Sequence, residues 1–159
     1  MIIAIDGPAA SGKSTSAKLL AKELGYLYLD TGAMYRCIAF SILENKIDIS
    51  NQDSLTKFLK NFEIDLKKTN NNLSFFVNGK NVTNKIRKSD VSQKVSEVSA
   101  IPIIREYMVR IQRSFTKNNS CVMEGRDIGT VVFLMQNLNF FLLAAMKLGQ
   151  KGDSLSLNL

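Results

Sequence analysis

MIIAIDGPAASGKST (Met1–Thr15) opens with a short apolar run, Met1–Asp6, bounded by a glycine, as a strand buried on both faces of a parallel sheet would. The next eight residues, Gly7–Ser14, read G-x-x-x-x-G-K-S. From Lys13 to Leu24, apolar residues recur at Ala17, Leu20, Ala21 and Leu24, the spacing of one helical face. Strand, glycine loop and helix in this order give the motif its physical meaning. The loop amides can ring a phosphate, Lys13 can reach the β and γ groups, Ser14 can hold Mg²⁺, and the helix dipole adds positive potential. Binding of ATP or GTP is the expectation, and the acceptor of the phosphate stays open at this point.

Working outward, Gly25 ends the first helix and YLYLD (Tyr26–Asp30) predicts a second strand. It leads into TGAMYRCIAFSILENK (Thr31–Lys46), whose Met34, Ile38, Ile42 and Leu43 mark a helical face. A β-α-β-α opening implies parallel strands. The pattern then changes. A short helix to about Asn61 is followed by FEIDLKKT, an asparagine turn, LSFFVNG and KNVT, which predict a small antiparallel hairpin sheet inserted at roughly 61–85. Helices return over Ser89–Ser99 and Pro102–Lys117, with Ile103, Met108 and Ile111 as the expected buried positions of the second. SCVMEGRD (Ser120–Asp127) predicts another central strand.

Composition narrows the chemistry. The chain of 159 residues, 45% hydrophobic, suits one globular domain, and the apolar run Phe140–Met146 is too short to span a bilayer. The expectation is a soluble, cytoplasmic protein. The absence of histidine excludes a Ser-His triad, an H-E-x-x-H zinc site and an imidazole base. Cys37 and Cys121, far apart and without C-x-x-C spacing, read as buried reduced thiols. The net charge of +7 comes without long basic runs or interleaved aromatics, so an anionic small substrate is expected and a nucleic acid is not.

Three further segments bear on the acceptor. LDTGAMYR (Leu29–Arg36) places Thr31 at a strand end and Arg36 one turn into a helix; Thr31 could equally be a plain N-cap, and Arg36 a snorkelling surface arginine. SEVSAIPIIRE (Ser96–Glu106) carries Ser96 and Arg105 on either side of a helix break. MEGRDIGTVVF (Met123–Phe133) delivers Glu124, Arg126 and Asp127 to the carboxyl end of an apolar strand, where ligands bind in open α/β sheets; a solvated charge cluster is the other reading. The two glycines of GRDIGT suggest a loop held close to ligand.

Together, IDGPAASGKSTSAKLLAKEL, LDTGAMYR, VSAIPIIRE and EGRDIGTVVF resemble the bacterial cytidylate kinases, the (d)CMP kinase branch of the nucleoside monophosphate kinases, over Met1 to about Phe133. The resemblance implies an α/β P-loop fold with a CMP-binding insertion. It implies ATP binding by Gly7, Pro8, Ala9, Ala10, Ser11, Gly12, Lys13, Ser14 and Thr15, with Mg²⁺ on Ser14, and a CMP or dCMP site formed by Thr31, Arg36, Ser96, Arg105, Arg126 and Asp127. Lys13 and Arg126 are the expected catalytic residues, in a monomer with no nucleic-acid or membrane partner. Forked arginines suit the CMP phosphate, and Ser96 and Asp127 can read a cytosine edge or a ribose. Transfer of the γ-phosphoryl group to an acceptor that is already anionic needs no general base. The competing readings are a nucleotide-binding remnant without turnover and a P-loop kinase for another small acceptor.

After Phe133 the quoted motifs stop. The family continues with Phe-Pro-Asp-Ala, a Lys-x-Phe-Leu strand and an arginine-rich lid, whereas residues 134–159 read LMQNLNFFLLAAMKLGQKGDSLSLNL, without arginine. Restoring one base ahead of the Leu134 codon forces an alanine and a glutamate at family positions and permits the lid run Ala-Arg-Ala-Lys-Arg-Arg. The expectation is an aberrant tail over 134–159, arising by frameshift rather than as an evolved short form. The lid and last core elements would then be missing, and full-rate transfer is not expected.

Overall fold

The computed structural model describes residues 1–69, 72–133 and 138–141. Its centre is a four-stranded parallel sheet of β1 (Ile2–Asp6), β2 (Leu27–Asp30), β6 (Cys121–Gly125) and β7 (Leu138–Phe141), in the order β2-β6-β1-β7. β1 is buried along its whole length. Ile3, Ile5 and Val122 pack against Ala17 and Ala21 of α1 (Lys13–Leu24) on one face. Ile2, Ala4, Leu29, Cys121 and Met123 join the larger core on the other, which includes Met34, Ile38 and Ile42 of α2 (Thr31–Glu44), Val91 and Val98 of α4 (Ser89–Ala100), and Ile104 and Met108 of α5 (Pro102–Thr116). At about 25 cal/mol per Å² of apolar surface buried, this double coverage favours an apolar strand between helices over an alternating one.

Local chemistry sets the boundaries. α1 starts from Gly12 at φ 79° and ends at Gly25, φ 67°, where the Tyr26 amide donates to the Ala21 carbonyl at 2.9 Å. That left-handed residue and six-to-one bond make a Schellman ending. The Asp30 carboxylate caps α2 by accepting the Ala33 amide at 2.8 Å, so the N-cap is Asp30 and Thr31 is the first helical residue. Asn51 caps α3 (Gln52–Lys60) in the same way through the Ser54 amide.

A separate antiparallel sheet, β3 (Ile64–Thr69), β4 (Asn72–Val77) and β5 (Lys80–Asn81), occupies the expected hairpin region. Asn78 (φ 47°) and Gly79 (φ 77°) both adopt the left-handed backbone of a two-residue type I′ connection between β4 and β5. Ile64, Phe75, Val77 and Val82 bury into the larger core.

Two details differ from the sequence reading, and a third expectation falls mostly outside the described residues. α5 buries Ile104, Met108 and Gln112, spaced four apart, while Ile103 and Ile111 lie half-buried on its flanks. Its rotation is fixed by the Tyr107 hydroxyl, which donates to the Phe62 carbonyl, and by Arg113, which reaches the Val131 and Val132 carbonyls. Leu24 and Leu43, in the last turns of α1 and α2, are exposed. Of the expected aberrant tail, 134–159, only Leu138–Phe141 falls within the described residues, as the β7 backbone pairing with β1.

Candidate functional site

The carboxyl ends of β1, β2 and β6 stand side by side, with Asp6 opposite Gly125 and Asp30 opposite Glu124 in register. This edge, with the loop after β1 on one side and the loop after β6 on the other, is where an open parallel sheet holds ligand.

The loop Gly7–Gly12 follows β1 directly. Ala10 takes a positive φ of 61°, and the Gly12 carbonyl accepts the Thr15 and Ser16 amides at 3.1 Å each, starting α1. The Lys13 ammonium donates to the Pro8 carbonyl at 2.8 Å and so lies across its own loop. The Ser11 hydroxyl is buried with no hydrogen-bond partner among the described residues. Ser14 and Thr15 are exposed in the first turn of α1.

On the acceptor side, the Asp30 carboxylate that caps α2 also takes Arg36 Nη2 at 3.4 Å. Arg36 is thereby paired, with its Nε buried and without a partner among the described residues. Thr31 is only 4% exposed, and its hydroxyl donates to the Glu124 carbonyl at 2.7 Å. This bond ties the start of α2 to the end of β6. Arg105, from α5, pairs with Asp127, from the loop after β6. Arg126 is exposed beside it, and Ser96 is exposed on α4. The structure thus joins Arg105 to Asp127 and Thr31 to β6 directly. Arg36 is held by Asp30, while Ser96 and Arg126 make no polar side-chain bond to the other expected site residues among those described.

Glycine in GRDIGT has a structural cause. A Cβ on Gly125 would lie 2.6 Å from Ile128 side-chain atoms and 2.8 Å from Thr31 Oγ1. Gly125 is therefore required by its protein neighbours Ile128 and Thr31. After it, Ile128–Val132 form a π-helical turn.

Three more residues organise this edge; the sequence reading singles out Glu124 for its place at the strand end and passes over Asp6 and Arg113. Asp6 is 6% exposed, and its two carboxylate oxygens accept the Ile128 and Gly129 amides at 2.9 and 2.8 Å. Glu124, 4% exposed, accepts the Tyr28 hydroxyl on Oε1 at 2.5 Å, while its Oε2 has no partner among the described residues. Arg113 holds the far end of the turn through the Val131 and Val132 carbonyls. An acid inside or at the end of an otherwise apolar strand is the signal that marks Asp6 and Glu124. Burial, the bond to Glu124 and the nearby Asp30 and Glu124 charges push the Tyr28 hydroxyl well above the ordinary phenol range, with Arg87 opposing. Tyr28 therefore stays a neutral donor.

A parallel sheet whose first strand enters G-x-x-x-x-G-K-S and then a helix, with an inserted hairpin sheet, defines the P-loop NTPase class of α/β folds. Within that class, a family model described as cytidylate kinase matches residues 3–151. The chain is 47% identical over 142 residues to a cytidylate kinase of Protochlamydia amoebophila (strain UWE25), covering 89% of this chain and 62% of the relative. It is 47% identical over 145 residues to one of Bacillus cereus (strain B4264), covering 91% and 64%. It is 48% identical over 145 residues to one of Geobacillus sp. (strain WCH70), covering 91% and 65%. The chain belongs to the cytidylate kinase family. It spans less than two thirds of the length of these relatives. The family match runs past Phe133, so the likeness extends beyond the four quoted motifs.

Proposed function

We propose that this protein transfers the γ-phosphoryl group of ATP to CMP or dCMP. The observation that carries the reading is the arrangement of one sheet edge: the G-x-x-x-x-G-K-S loop follows β1 at the same end of the sheet where α2, α5 and the β6 loop supply paired arginine and carboxylate side chains. The family of the chain supports the same acceptor.

In this reading, the amides of Gly7–Thr15 and the Lys13 ammonium hold the ATP phosphates. The ammonium exchanges the Pro8 carbonyl for a phosphate oxygen, a stronger charge-assisted bond. Arg36 and Arg126 receive the dianionic phosphate of CMP. Arg105 and Asp127, already paired, present a donor fork and an acceptor to the base, and Ser96 adds a hydroxyl. Thr31 belongs to the same site, with its hydroxyl donated to the Glu124 carbonyl. The hairpin at roughly 61–85 is the CMP-binding insertion.

The donor set fits a hard divalent cation: the Ser14 hydroxyl opens α1, and the strand beside β1 carries a buried carboxylate oxygen, Glu124 Oε2, without a protein partner among the described residues. Mg²⁺ held there would neutralise charge on the β and γ phosphates. Asp6 and Arg113 keep the acceptor loop in place, Lys13 stabilises the group in transit, and the acceptor oxygen is anionic without a base. We read the protein as a cytoplasmic monomer acting on free nucleotides.

Equilibrium titration tests the assignment. CMP and dCMP should bind at least about tenfold more tightly than UMP and AMP, and ATP should bind to a separate site. Equal affinity for all four monophosphates removes the cytidylate assignment, and ATP binding without any monophosphate binding would favour a nucleotide-binding remnant.

A further inference from the structure

Asp6 lies just before Gly7 and is one of only a few buried polar residues among those described. Its carboxylate spends both oxygens on main-chain amides far away in sequence, Ile128 at 2.9 Å and Gly129 at 2.8 Å. A carboxylate accepting two amides at the start of a helical turn does the work of an N-cap from outside the turn. The remainder of the turn is closed internally: the Asp127 carbonyl accepts the Val131 amide at 2.9 Å, and the Ile128 carbonyl accepts the Phe133 amide at 2.8 Å. Arg113 fastens its far end at Val132, 2.8 Å, and Val131, 3.2 Å.

Asp6 therefore adds a side-chain link between two loops whose strands are already paired side by side in the sheet. On one side is the first residue of the phosphate-binding loop; on the other are the two amides that immediately follow Arg126 and Asp127. Gly125 pairs in register with Asp6 and admits the Ile128 side chain at a distance no other residue would allow. The carboxylate thus connects the β1 end directly to the amides that follow Arg126 and Asp127.

We propose that Asp6 is a positioning residue that fixes the acceptor loop, and with it Arg126 and Asp127, relative to the phosphate-binding loop. The proposal rests on the reading that these two loops serve donor and acceptor. Asparagine has nearly the shape of aspartate, yet its amide group turns one of the two acceptors into a second donor facing a backbone N–H. Asp6→Asn should therefore loosen the acceptor side while the phosphate-binding loop retains its own sequence.

The test combines two readouts on the full chain, backbone amide exchange by NMR and separate titrations of CMP and ATP, in wild type and Asp6→Asn. Exchange at Ile128 and Gly129 should accelerate by about tenfold or more, CMP should bind about tenfold more weakly, and the ATP affinity should stay within about twofold. Unchanged exchange at the two amides, or equal losses for ATP and CMP, would overturn the assignment. If Asp6→Asn does not fold, wild-type exchange decides: amides as protected as those of β6 uphold the tie, and rates of an exposed loop refute it. A wild-type chain that binds ATP but no CMP counts against the cytidylate reading, and the amide exchange still judges Asp6 alone.

Discussion

Arg105, in the first turn of α5, forms an ion pair with Asp127, two residues past the end of β6, so that a helix and a strand separated in sequence share one charged contact at the sheet edge. The side chains are 40% and 31% exposed. At that exposure, solvent screening leaves such a pair worth about 0–1 kcal/mol to folding. Its value lies in orientation. Arg105→Ala and Asp127→Ala should each change stability by less than about 1 kcal/mol and weaken CMP binding by roughly 10- to 100-fold, the scale of a hydrogen bond to a charged group. The double variant should lose less than the two single losses added together. Thermal melts and calorimetric titration check both statements.

Gly125→Ala tests the packing of the acceptor loop. The new methyl group would meet Ile128, which is 1% exposed and has little room to yield, and the Thr31 hydroxyl that Glu124 needs. Overpacking of this kind costs about 1–3 kcal/mol. We expect a lower melting temperature and weaker CMP binding. Gly125→Ala combined with Ile128→Ala should recover part of the CMP affinity, because the closest clash is removed.

Lys13→Ala leaves the fold nearly untouched, since the side chain makes one bond to the exposed Pro8 carbonyl. Loss of a charged donor aimed at a transferring group costs roughly 10²–10³ in rate. ATP turnover should fall by that amount, with CMP affinity retained. A kinetic comparison under saturating CMP shows whether both hold.

Cys37 and Cys121 are buried free thiols. Burial raises the Cys37 thiol from 9.0 to about 12, against a lowering by Arg36, and the Cys121 thiol from 9.0 to about 11, against the N-terminal charge. A raised folded value means that the native state holds its proton more tightly than the unfolded chain. This stabilisation is fully present below pH 9 and is lost as pH rises through about 11 and 12. At pH 8, a thiol reagent should therefore react with the native protein far more slowly than with the chain in denaturant. Denaturant midpoints should fall between pH 9 and pH 12.

The parts of this fold that are local in sequence are the ones that could be read from it. Gly12, Lys13 and Ser14 lie in one loop, and Met34, Ile38 and Ile42 repeat along one helix, so spacing alone places them. The buried row of α5 is legible only at Met108: it includes Gln112, which no apolar pattern marks, and Tyr107 and Arg113 set the rotation of the helix through distant carbonyls, which leaves Ile103 and Ile111 on the flanks. Asp6 escaped notice for a similar reason: its partners stand 122 and 123 positions away. The acceptor residues Arg105 and Asp127 were legible as a motif, but their pairing needed the third dimension. A short apolar strand such as β7 carries little motif signal, and the family likeness past Phe133 was missed there.

Phosphorus NMR of the protein mixed with ATP, Mg²⁺ and one nucleoside monophosphate at a time tests the central claim most directly. The account predicts that the γ resonance of ATP is consumed and a new diphosphate appears with CMP and with dCMP, well ahead of UMP or AMP, and that Arg126→Ala abolishes the difference. A new diphosphate from another acceptor, with CMP left unchanged, would contradict it.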